Sequence, residues 1–409
     1  MNFAWVVPKR ATTTLPLVRR SAEPPGLDAR TRGQPFLGAR STIDHESGTQ
    51  CDGKFSTHMS DETSKAVVAL SGGVDSSVAA ALLLEAGHAC QGVFMITNEQ
   101  GRRAQAGAEQ VTRQLGIELT VLDLREQFDE ILAYFFSEYA KGRTPNPCVV
   151  CNRTVKFGKL WDFAARAGAE VLATGHYARI LADDTGPALY QSADPAKDQS
   201  YVLSMVRRSA LEHVVLPLGD YSKNRTRQIA AGLGLGMENR AESQEICFIP
   251  DDDYVAFLEQ QRPELVREGP IVDSAGKKLG THQGVHRYTI GQRRGLRVAL
   301  GKPYYVTQLD AAGNTVVLGP KAEVMHGQLR TAEANWLMDE PAAPFRATVK
   351  IRYNDRGRPA TVFPESPGIR VAFDEPNMAI TPGQLAVFYV DQDGMWRVAG
   401  AGWIESAED

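Results

Sequence analysis

The chain has 409 residues, of which 43% are hydrophobic, and this length predicts about two to three globular domains. Its 45 basic and 49 acidic side chains nearly balance, which excludes both a strongly basic nucleic-acid coat and an acidic solvating chain. No apolar run approaches the roughly 18 to 20 residues that span a bilayer, so we expect no membrane partner.

Residues 1–64 contain five prolines and no sustained apolar period, which predicts a disordered N-terminal extension. Seven basic residues against two acidic ones before Ile43 are typical of an organellar transit peptide, although the prolines interrupt its amphipathic helix. The alternative is a start at Met59, which leaves residues 1–58 untranslated or dispensable. We therefore expect a cytoplasmic protein, or an organellar one if the extension is a transit peptide.

From Lys65 the chain alternates strand and helix patterns. The apolar run 66–70 predicts a parallel strand buried on both faces, and a helix follows from about Asp75 to Gly87. The same alternation continues with strands at 90–95, 118–122 and 170–174 and helices at 126–141 and 154–167. This predicts an α/β domain over residues 65–250, a doubly wound parallel sheet that binds its ligand at the carboxyl ends of the strands.

A Gly-rich turn joins the first strand to the first helix: Ser71-Gly72-Gly73-Val74-Asp75-Ser76-Ser77. Unpaired backbone N–H groups and the helix dipole favour an anion there, and glycines let phosphate oxygens approach the backbone. Asp75 is a candidate Mg²⁺ ligand, whereas the lysine of the Walker motif is absent. The turn therefore predicts a phosphate-binding loop, and it resembles the loop of ATP pyrophosphatases that adenylate an oxygen.

The pattern changes after about residue 250. Residues 251–328 form a mixed, Gly-containing segment, and between 274 and 309 there are seven basic residues and no acidic one: Lys277, Lys278, Arg287, Arg293, Arg294, Arg297 and Lys302. With Tyr288, Tyr304 and Tyr305 interleaved, this segment predicts a small central domain that contacts phosphates and stacks on bases.

Residues 329–409 have the pattern of short strands separated by Pro, Gly and Asp. Strands are predicted at 347–353, 368–373, 384–390 and 396–404. In the first of them Val349, Ile351 and Tyr353 share one face. Strands of this length and spacing predict a C-terminal antiparallel β-barrel.

Five cysteines spread over a long chain indicate reduced thiols rather than a disulfide scaffold. Cys148 and Cys151 lie in a proline-stiffened loop before a helix expected from about Arg153, whose dipole should lower the pKa of Cys151 below its free value of about 8.5. A structural zinc half-site, a redox dithiol and a sulfur-handling nucleophile all fit this pair. Cys90 lies in a predicted strand beside an apolar run, and Cys247 lies in an apolar run that follows a polar one. Each pattern by itself predicts a buried core cysteine.

Seven blocks of the chain together resemble the tRNA-uridine 2-sulfurtransferases, in the same order and over about residues 66–404. The blocks are 71–77, 144–152 with Lys156-Phe157, 174–177, 197–201, 246–249, 289–293 and 381–384. The resemblance implies ATP-dependent replacement of O2 by sulfur in the wobble uridine of tRNA, through an adenylated uridine, with AMP and pyrophosphate released. It also implies that Cys247 accepts sulfur as a persulfide from a donor protein, and that Cys151 attacks this persulfide and closes a disulfide.

The resemblance further assigns binding residues by position. ATP contacts are implied for Ala69, Leu70, Ser71, Gly72, Gly73, Val74, Asp75, Ser76, Met95 and Gly175. Contacts with tRNA are implied for Asn146, Pro147, Cys148, His176, Lys197, Asp198, Gln199, Arg352, Tyr353 and Gln384. The expected partners are tRNA and the sulfur donor, and we expect a monomer.

Cys148 departs from the family pattern, because many members carry an aspartate there that is assigned an acid/base role. With Cys148 counted as catalytic, the chain offers three thiolates, Cys148, Cys151 and Cys247. Such a set also suits a four-iron four-sulfur cluster with one open iron, so the persulfide relay and the cluster are alternative mechanisms. Alternative functions are another ATP pyrophosphatase-loop ligase or amidase that acts on a small molecule, and a non-catalytic tRNA-binding protein.

Overall fold

The computed structural model describes residues 64–98, 101–235, 246–298, 301–366 and 368–409. The predicted disorder of the N-terminal extension, its transit-peptide reading and Cys51 all lie outside these residues. Among the residues described, none of the helices has both the length and the apolar character to cross a membrane.

Within the described residues, seventeen strands form three sheets. In chain order they are β1 Lys65–Ala69, β2 Ala89–Ile96, β3 Glu118–Asp123, β4 Val171–Ala173, β5 Arg179–Asp183, β6 Gly186–Tyr190, β7 Val214–Val215, β8 Gly269–Asp273, β9 Lys278–His282, β10 Tyr305–Asp310, β11 Thr315–Gly319, β12 Met325–Trp336, β13 Phe345–Lys350, β14 Arg358–Glu365, β15 Gly368–Met378, β16 Leu385–Gln392 and β17 Met395–Glu408. The α-helices are α1 Val74–Glu85, α2 Gly101–Leu115, α3 Arg125–Ala140, α4 Pro147–Cys151, α5 Leu160–Arg166, α6 Ser200–Leu203, α7 Lys223–Gly232 and α8 Tyr254–Gln261. A π-helix spans Asn152–Lys159, and short 3₁₀ segments span Arg208–His213, Pro250–Asp252, Pro263–Leu265, Val285–Arg287 and Lys321–Val324.

The first sheet is parallel, in the order β3-β2-β1-β4-β7. Residues 66–68 of β1 are fully buried, as expected of a central strand with helices on both faces. The chain leaves β1 toward β2 on one side and reaches β4 on the other, so the carboxyl ends of β1 and β4 flank the switch point where such sheets bind ligands. This confirms the predicted α/β sheet.

The last helix of the prediction differs from the observed one. A helix was expected from 154 to 167, but the helical segment already begins at Pro147, capped by the Asn146 side chain, which accepts the Val149 N–H at 3.4 Å. Proline is favourable in the first helical position because an N–H there would have no helical partner. Asparagine is favourable at the cap because its side-chain oxygen accepts an unpaired N–H of the first turn. The segment continues through the π-helix into α5.

The C-terminal strands close into the predicted barrel. Six antiparallel strands follow the order β12-β15-β14-β13-β16-β17, and β12 pairs with β17 to complete the ring. Val349 and Ile351 are buried inside, but β13 ends at Lys350, so Tyr353 lies in the turn beyond it and is 40% exposed. The expectation that Tyr353 continues the inner face is therefore wrong.

The central segment contains a four-stranded sheet in the order β10-β11-β8-β9 around a small apolar core. Tyr288 belongs to this core and is buried, so its ring is not a platform for base stacking. Arg287 is partly buried and donates to both carboxylate oxygens of Glu259. The other six basic side chains of the segment, Lys277, Lys278, Arg293, Arg294, Arg297 and Lys302, are exposed.

Candidate active site

The predicted phosphate loop lies between β1 and α1 and is held by its own side chains. Gly72 has a left-handed φ of +75°, and a Cβ there would lie 2.7 Å from the Ala104 carbonyl oxygen, so only glycine fits. The Ser76 hydroxyl accepts the Ser71 N–H at 3.1 Å and lies 3.1 Å from the Ser71 hydroxyl. No side chain caps α1 at Gly73, so its first backbone N–H groups remain available to a ligand.

Gly175 meets this loop from the end of β4. A Cβ on Gly175 would lie 2.7 Å from the Ser76 nitrogen and 2.8 Å from the Asp75 carbonyl carbon. Met95, the other predicted ATP contact outside the loop, lies at the carboxyl end of β2 on the same edge of the sheet. The structure thus brings the predicted nucleotide residues together at the switch point.

Asp75 has a partner that the sequence does not reveal. Lys223, the first residue of α7, places its Nζ 2.7 and 2.8 Å from the two carboxylate oxygens, and the Tyr177 hydroxyl donates to Oδ1 at 2.8 Å. Lys223 is 148 residues away from Asp75, and no local pattern links them. Mg²⁺ is usually held by one or two carboxylates together with substrate phosphates, so Asp75 fits as its single protein ligand beside ATP.

The three cysteines of the prediction interact electrostatically with one another. Cys148 and Cys151 lie one turn apart on α4, all three thiols are free, and the negative charges of Cys151 and Cys148 each raise the pKa of Cys247. Solvent reaches Cys148 and Cys247, yet the surrounding protein desolvates the thiolate and, as the largest effect, raises the pKa of Cys247 to about 11. Cys247 is not a core residue, because Phe248 and Ile249 fill the core instead.

The expected lowering of the Cys151 pKa by a helix N-terminus is also wrong. Cys151 is the last residue of α4 and continues into the π-helix, so it does not lie in a first helical turn. Burial raises the pKa of Cys148 and of Cys151, and the positive charge of Lys156 opposes this rise at both thiols. Desolvation of the charged form outweighs the single nearby cation.

Lys156 is a functional candidate that the sequence reasoning did not single out. The π-helix places it one wide turn beyond Cys151, since residues five apart are neighbours in that helix. Its Nζ donates to His176 Nε2 at 3.3 Å, and His176 Nδ1 lies 2.7 Å from the Thr174 hydroxyl. Because an ammonium group only donates, His176 is neutral, and burial followed by the charge of Lys156 holds its pKa well below its usual value.

The loop before Cys148 is held by the other domains. Gln384 of the barrel donates its side-chain amide to the carbonyl oxygens of Thr144 and Pro145 at 3.0 and 3.2 Å, and the Thr144 N–H donates to Pro382 at 3.0 Å. The hydroxyls of Thr144 and Thr289, a residue of the central segment, lie 3.3 Å apart. Gln384, implied as a tRNA contact, therefore also holds the cysteine loop, residues 144–152, in place.

The remaining residues implied as tRNA contacts lie around the same region. Gln199 exchanges hydrogen bonds with the backbone of Tyr177 at 2.7 and 2.9 Å, next to His176, which is only 8% exposed. Asp198 is buried and accepts from Ser192 and Ser200, so its carboxylate shapes its own loop. Burial raises the pKa of Asp198.

Two residues implied as tRNA contacts, Arg352 and Tyr353, belong to the barrel segment. Arg352 donates to the Thr381 hydroxyl at 3.1 Å and so supports the turn that carries Gln384. Desolvation raises the pKa of the Tyr353 hydroxyl, and the negative charges of Asp198 and Cys148 add to that rise.

Three family models match the chain in succession. They are described as a tRNA methyl transferase HUP domain, matching residues 64–251, a tRNA methyl transferase PRC-barrel domain, matching 255–320, and an aminomethyltransferase beta-barrel domain, matching 326–404.

Curated relatives match over nearly their whole length. The tRNA-specific 2-thiouridylase MnmA of Syntrophotalea carbinolica is 45% identical over 355 residues, which cover 85% of this chain and 100% of the relative. That of Carboxydothermus hydrogenoformans is 44% identical over 361 residues, covering 83% and 97%. A solved 4-thiouridine synthetase–RNA complex with bound ATP, 20% identical over 49% of this chain and 51% of that one, has a TM-score of 0.31, too low to support an argument. The level and extent of identity to the curated relatives show that this chain belongs to the tRNA-specific 2-thiouridylase family.

Proposed function

We propose that this protein catalyses the ATP-dependent 2-thiolation of the wobble uridine of tRNA, releasing AMP and pyrophosphate. The observation that carries this proposal is the presence, within residues 65–250, of a Gly-rich loop before an uncapped helix N-terminus and of three free thiols whose charges interact with that of Lys156. The α/β domain 65–250 would perform the chemistry, with the central domain 251–328 and the barrel 329–409 supporting tRNA.

The first step makes the uracil oxygen a leaving group. Its O2 attacks the α-phosphorus of ATP, the bond from that phosphorus to the bridging oxygen breaks, and pyrophosphate leaves with the electron pair. The backbone N–H groups at the start of α1, with the Ser71 and Ser76 hydroxyls, would hold the phosphates. Mg²⁺ bound at Asp75 would supply positive charge against the phosphates.

The second step delivers sulfur. A donor protein would transfer sulfur to Cys247 as a persulfide, the Cys151 thiolate would attack its inner sulfur, and the released hydrosulfide would displace AMP from C2. The Cys151–Cys247 disulfide left behind needs a reductant before the next turnover. Lys156 would favour the Cys151 thiolate that this step requires.

The cluster alternative finds less support in this arrangement. Within the described part of the chain, no three His, Cys, Asp or Glu side chains converge as a metal-binding group, so the thiols do not form a ligand set here. We therefore favour the persulfide relay. In this mechanism Cys148, at the position of the family aspartate, would lie next to the reacting uridine. Anaerobic purification with iron and sulfide analysis of the wild type and of Cys148→Ala tests the cluster directly.

The function is tested by incubating the protein with ATP, unmodified tRNA and a persulfide source. We expect 2-thiouridine by nucleoside mass spectrometry and AMP release that depends on tRNA. Cys151→Ser and Cys247→Ser should abolish thiolation, whereas Cys90→Ser, in β2, should retain it. A small-molecule ligase would release AMP without tRNA and tolerate both serine variants, and a non-catalytic binding protein would release none.

A further inference from the structure

The phosphate loop has no lysine of its own, and α7 brings one to it. Lys223 holds both oxygens of Asp75, and its side chain is only 10% exposed. Its Nζ also lies 5.8 Å from the centre of the Tyr177 ring. A lysine withdrawn this far from water and aimed at a nucleotide loop requires an explanation, since a buried ion pair by itself contributes little to stability.

The negative charge of Asp75 would repel the phosphates of ATP unless a cation compensated it. Asp75 is the second residue of α1, so its carboxylate lies where phosphate groups would dock. Like charges at this distance repel strongly in a partly buried site. The Lys223 ammonium, a compact charge on a flexible stem, neutralises Asp75 in this structure, and once Mg²⁺ takes its place on the carboxylate it would turn toward the phosphate oxygens.

A cavity of about 530 Å³ is lined in part by Lys223. Three of its lining residues, Lys197, Lys223 and Arg227, are basic, and a single one, Asp194, is acidic. The Asp194 carboxylate already accepts the N–H groups of Ala196 and Lys223 at 3.1 and 3.2 Å. The charge of the cavity therefore suits an anion, and Lys223 is shared between this cavity and the phosphate loop.

We propose that Lys223 is a ligand of the β- and γ-phosphates of ATP and of the pyrophosphate product, supplying from α7 the lysine that the loop lacks. The inference rests on the proposed function and names a residue for its first step. When the bond between the α-phosphorus and the bridging oxygen breaks, the electron pair stays on pyrophosphate, and the ammonium balances that charge without giving up a proton.

The test measures binding of ATP, AMP and inorganic pyrophosphate to the full-length protein without tRNA, by calorimetry. Lys223→Met should weaken ATP and pyrophosphate binding by about tenfold or more, the loss of a charge-assisted hydrogen bond, and leave AMP binding unchanged. Arg225→Met is the matched control, because Arg225 is a partly exposed residue of the same helix, and it should bind all three as the wild type does.

Lys223→Met also leaves Asp75 without its partner, so a second comparison separates phosphate contact from charge compensation. Asp75→Asn and the double variant Asp75→Asn/Lys223→Met lack the uncompensated carboxylate. If Lys223 contacts phosphate, the double variant binds pyrophosphate more weakly than Asp75→Asn. Equal affinities would show that Lys223 is only a counter-ion and would overturn the proposal.

The other source of phosphate is the tRNA backbone, since Lys197 of the cavity is an implied tRNA contact. Loss of tRNA affinity in Lys223→Met with unchanged pyrophosphate affinity would assign the cavity to tRNA and overturn the proposal. Failure of the wild type to thiolate tRNA while it binds pyrophosphate through Lys223 would instead refute the proposed function and leave this inference standing.

Discussion

The phosphate loop and the cysteine loop belong to one α/β domain, yet different parts of the molecule hold them. In the phosphate loop Ser71 and Ser76 are bonded five positions apart, and the long-range bonds of Asp75, to Tyr177 and Lys223, stay within residues 65–250. In the cysteine loop Thr144 is bonded to Gln384, 240 residues later, and contacts Thr289, 145 residues later. The phosphate loop is thus held from within residues 65–250, whereas the cysteine loop is also held by the barrel and the central segment.

The largest effect is expected from a side chain at Gly175, which tests whether the phosphate loop is as rigid as its local bonds suggest. In Gly175→Val the new Cβ would meet backbone atoms of Asp75 and Ser76, which cannot rotate away. Overpacking of this kind costs about 1 to 3 kcal/mol, so ATP affinity should fall about 10- to 100-fold. Calorimetry measures it, with Gly232→Ala as the control, because a Cβ at Gly232 meets no atom within 4 Å. Unchanged affinity would mean that the loop yields easily.

Next in size is Gln384→Leu, which tests whether the barrel holds the cysteine loop. The substitution keeps the approximate volume but removes both donors to Thr144 and Pro145. Leaving these carbonyls unpaired costs about 1 to 3 kcal/mol, so we expect about a tenfold lower single-turnover rate at saturating tRNA.

ATP affinity of Gln384→Leu should stay at the wild-type value, since the phosphate loop does not depend on the barrel. The exposed Gln260, on α8, provides a control leucine variant with wild-type turnover. A variant that loses only tRNA affinity, with normal turnover once tRNA is saturating, would show that Gln384 acts solely as a tRNA contact.

This contrast also explains how much of the fold and of the site could be predicted from the sequence. The phosphate loop, the parallel strands and the barrel follow from local patterns of glycine, buried runs and alternation, and the structure has all three. The pairing of Lys223 with Asp75 and of Gln384 with Thr144 joins residues far apart in the chain, and one sequence contains no signal for such contacts. The solvent exposure of Cys247 likewise depends on Phe248, which packs against Phe128 and Phe135.

A smaller effect is expected at Lys156, which sharpens the comparison at the thiols themselves. Lys156→Met removes the cation that lowers the pKa of Cys148 and Cys151, so the pKa of each thiol should rise further. Only the thiolate reacts with iodoacetamide, so at a fixed pH the variant should be alkylated more slowly than the wild type. Its alkylation rate should rise with pH over a more alkaline range than that of the wild type. Peptide mass spectrometry follows each thiol, and Lys159→Met, an exposed residue of the same π-helix, should match the wild type. Identical pH profiles for Lys156→Met and the wild type would remove Lys156 from the site.

The smallest effects belong to the exposed arginines of the central domain, which test whether that domain adds only long-range attraction for tRNA. Arg293→Ala, Arg294→Ala and Arg297→Ala should each weaken tRNA binding modestly and reduce the slope of log affinity against log salt by about 0.7 to 0.9 per lost phosphate contact. Fluorescence anisotropy at several salt concentrations gives the slope, and Arg262→Ala, an exposed residue after α8, is the control. ATP affinity and thiol reactivity should not change, because none of these side chains belongs to the phosphate loop or the cysteine loop. A slope that stays constant in all three variants would place the tRNA footprint elsewhere.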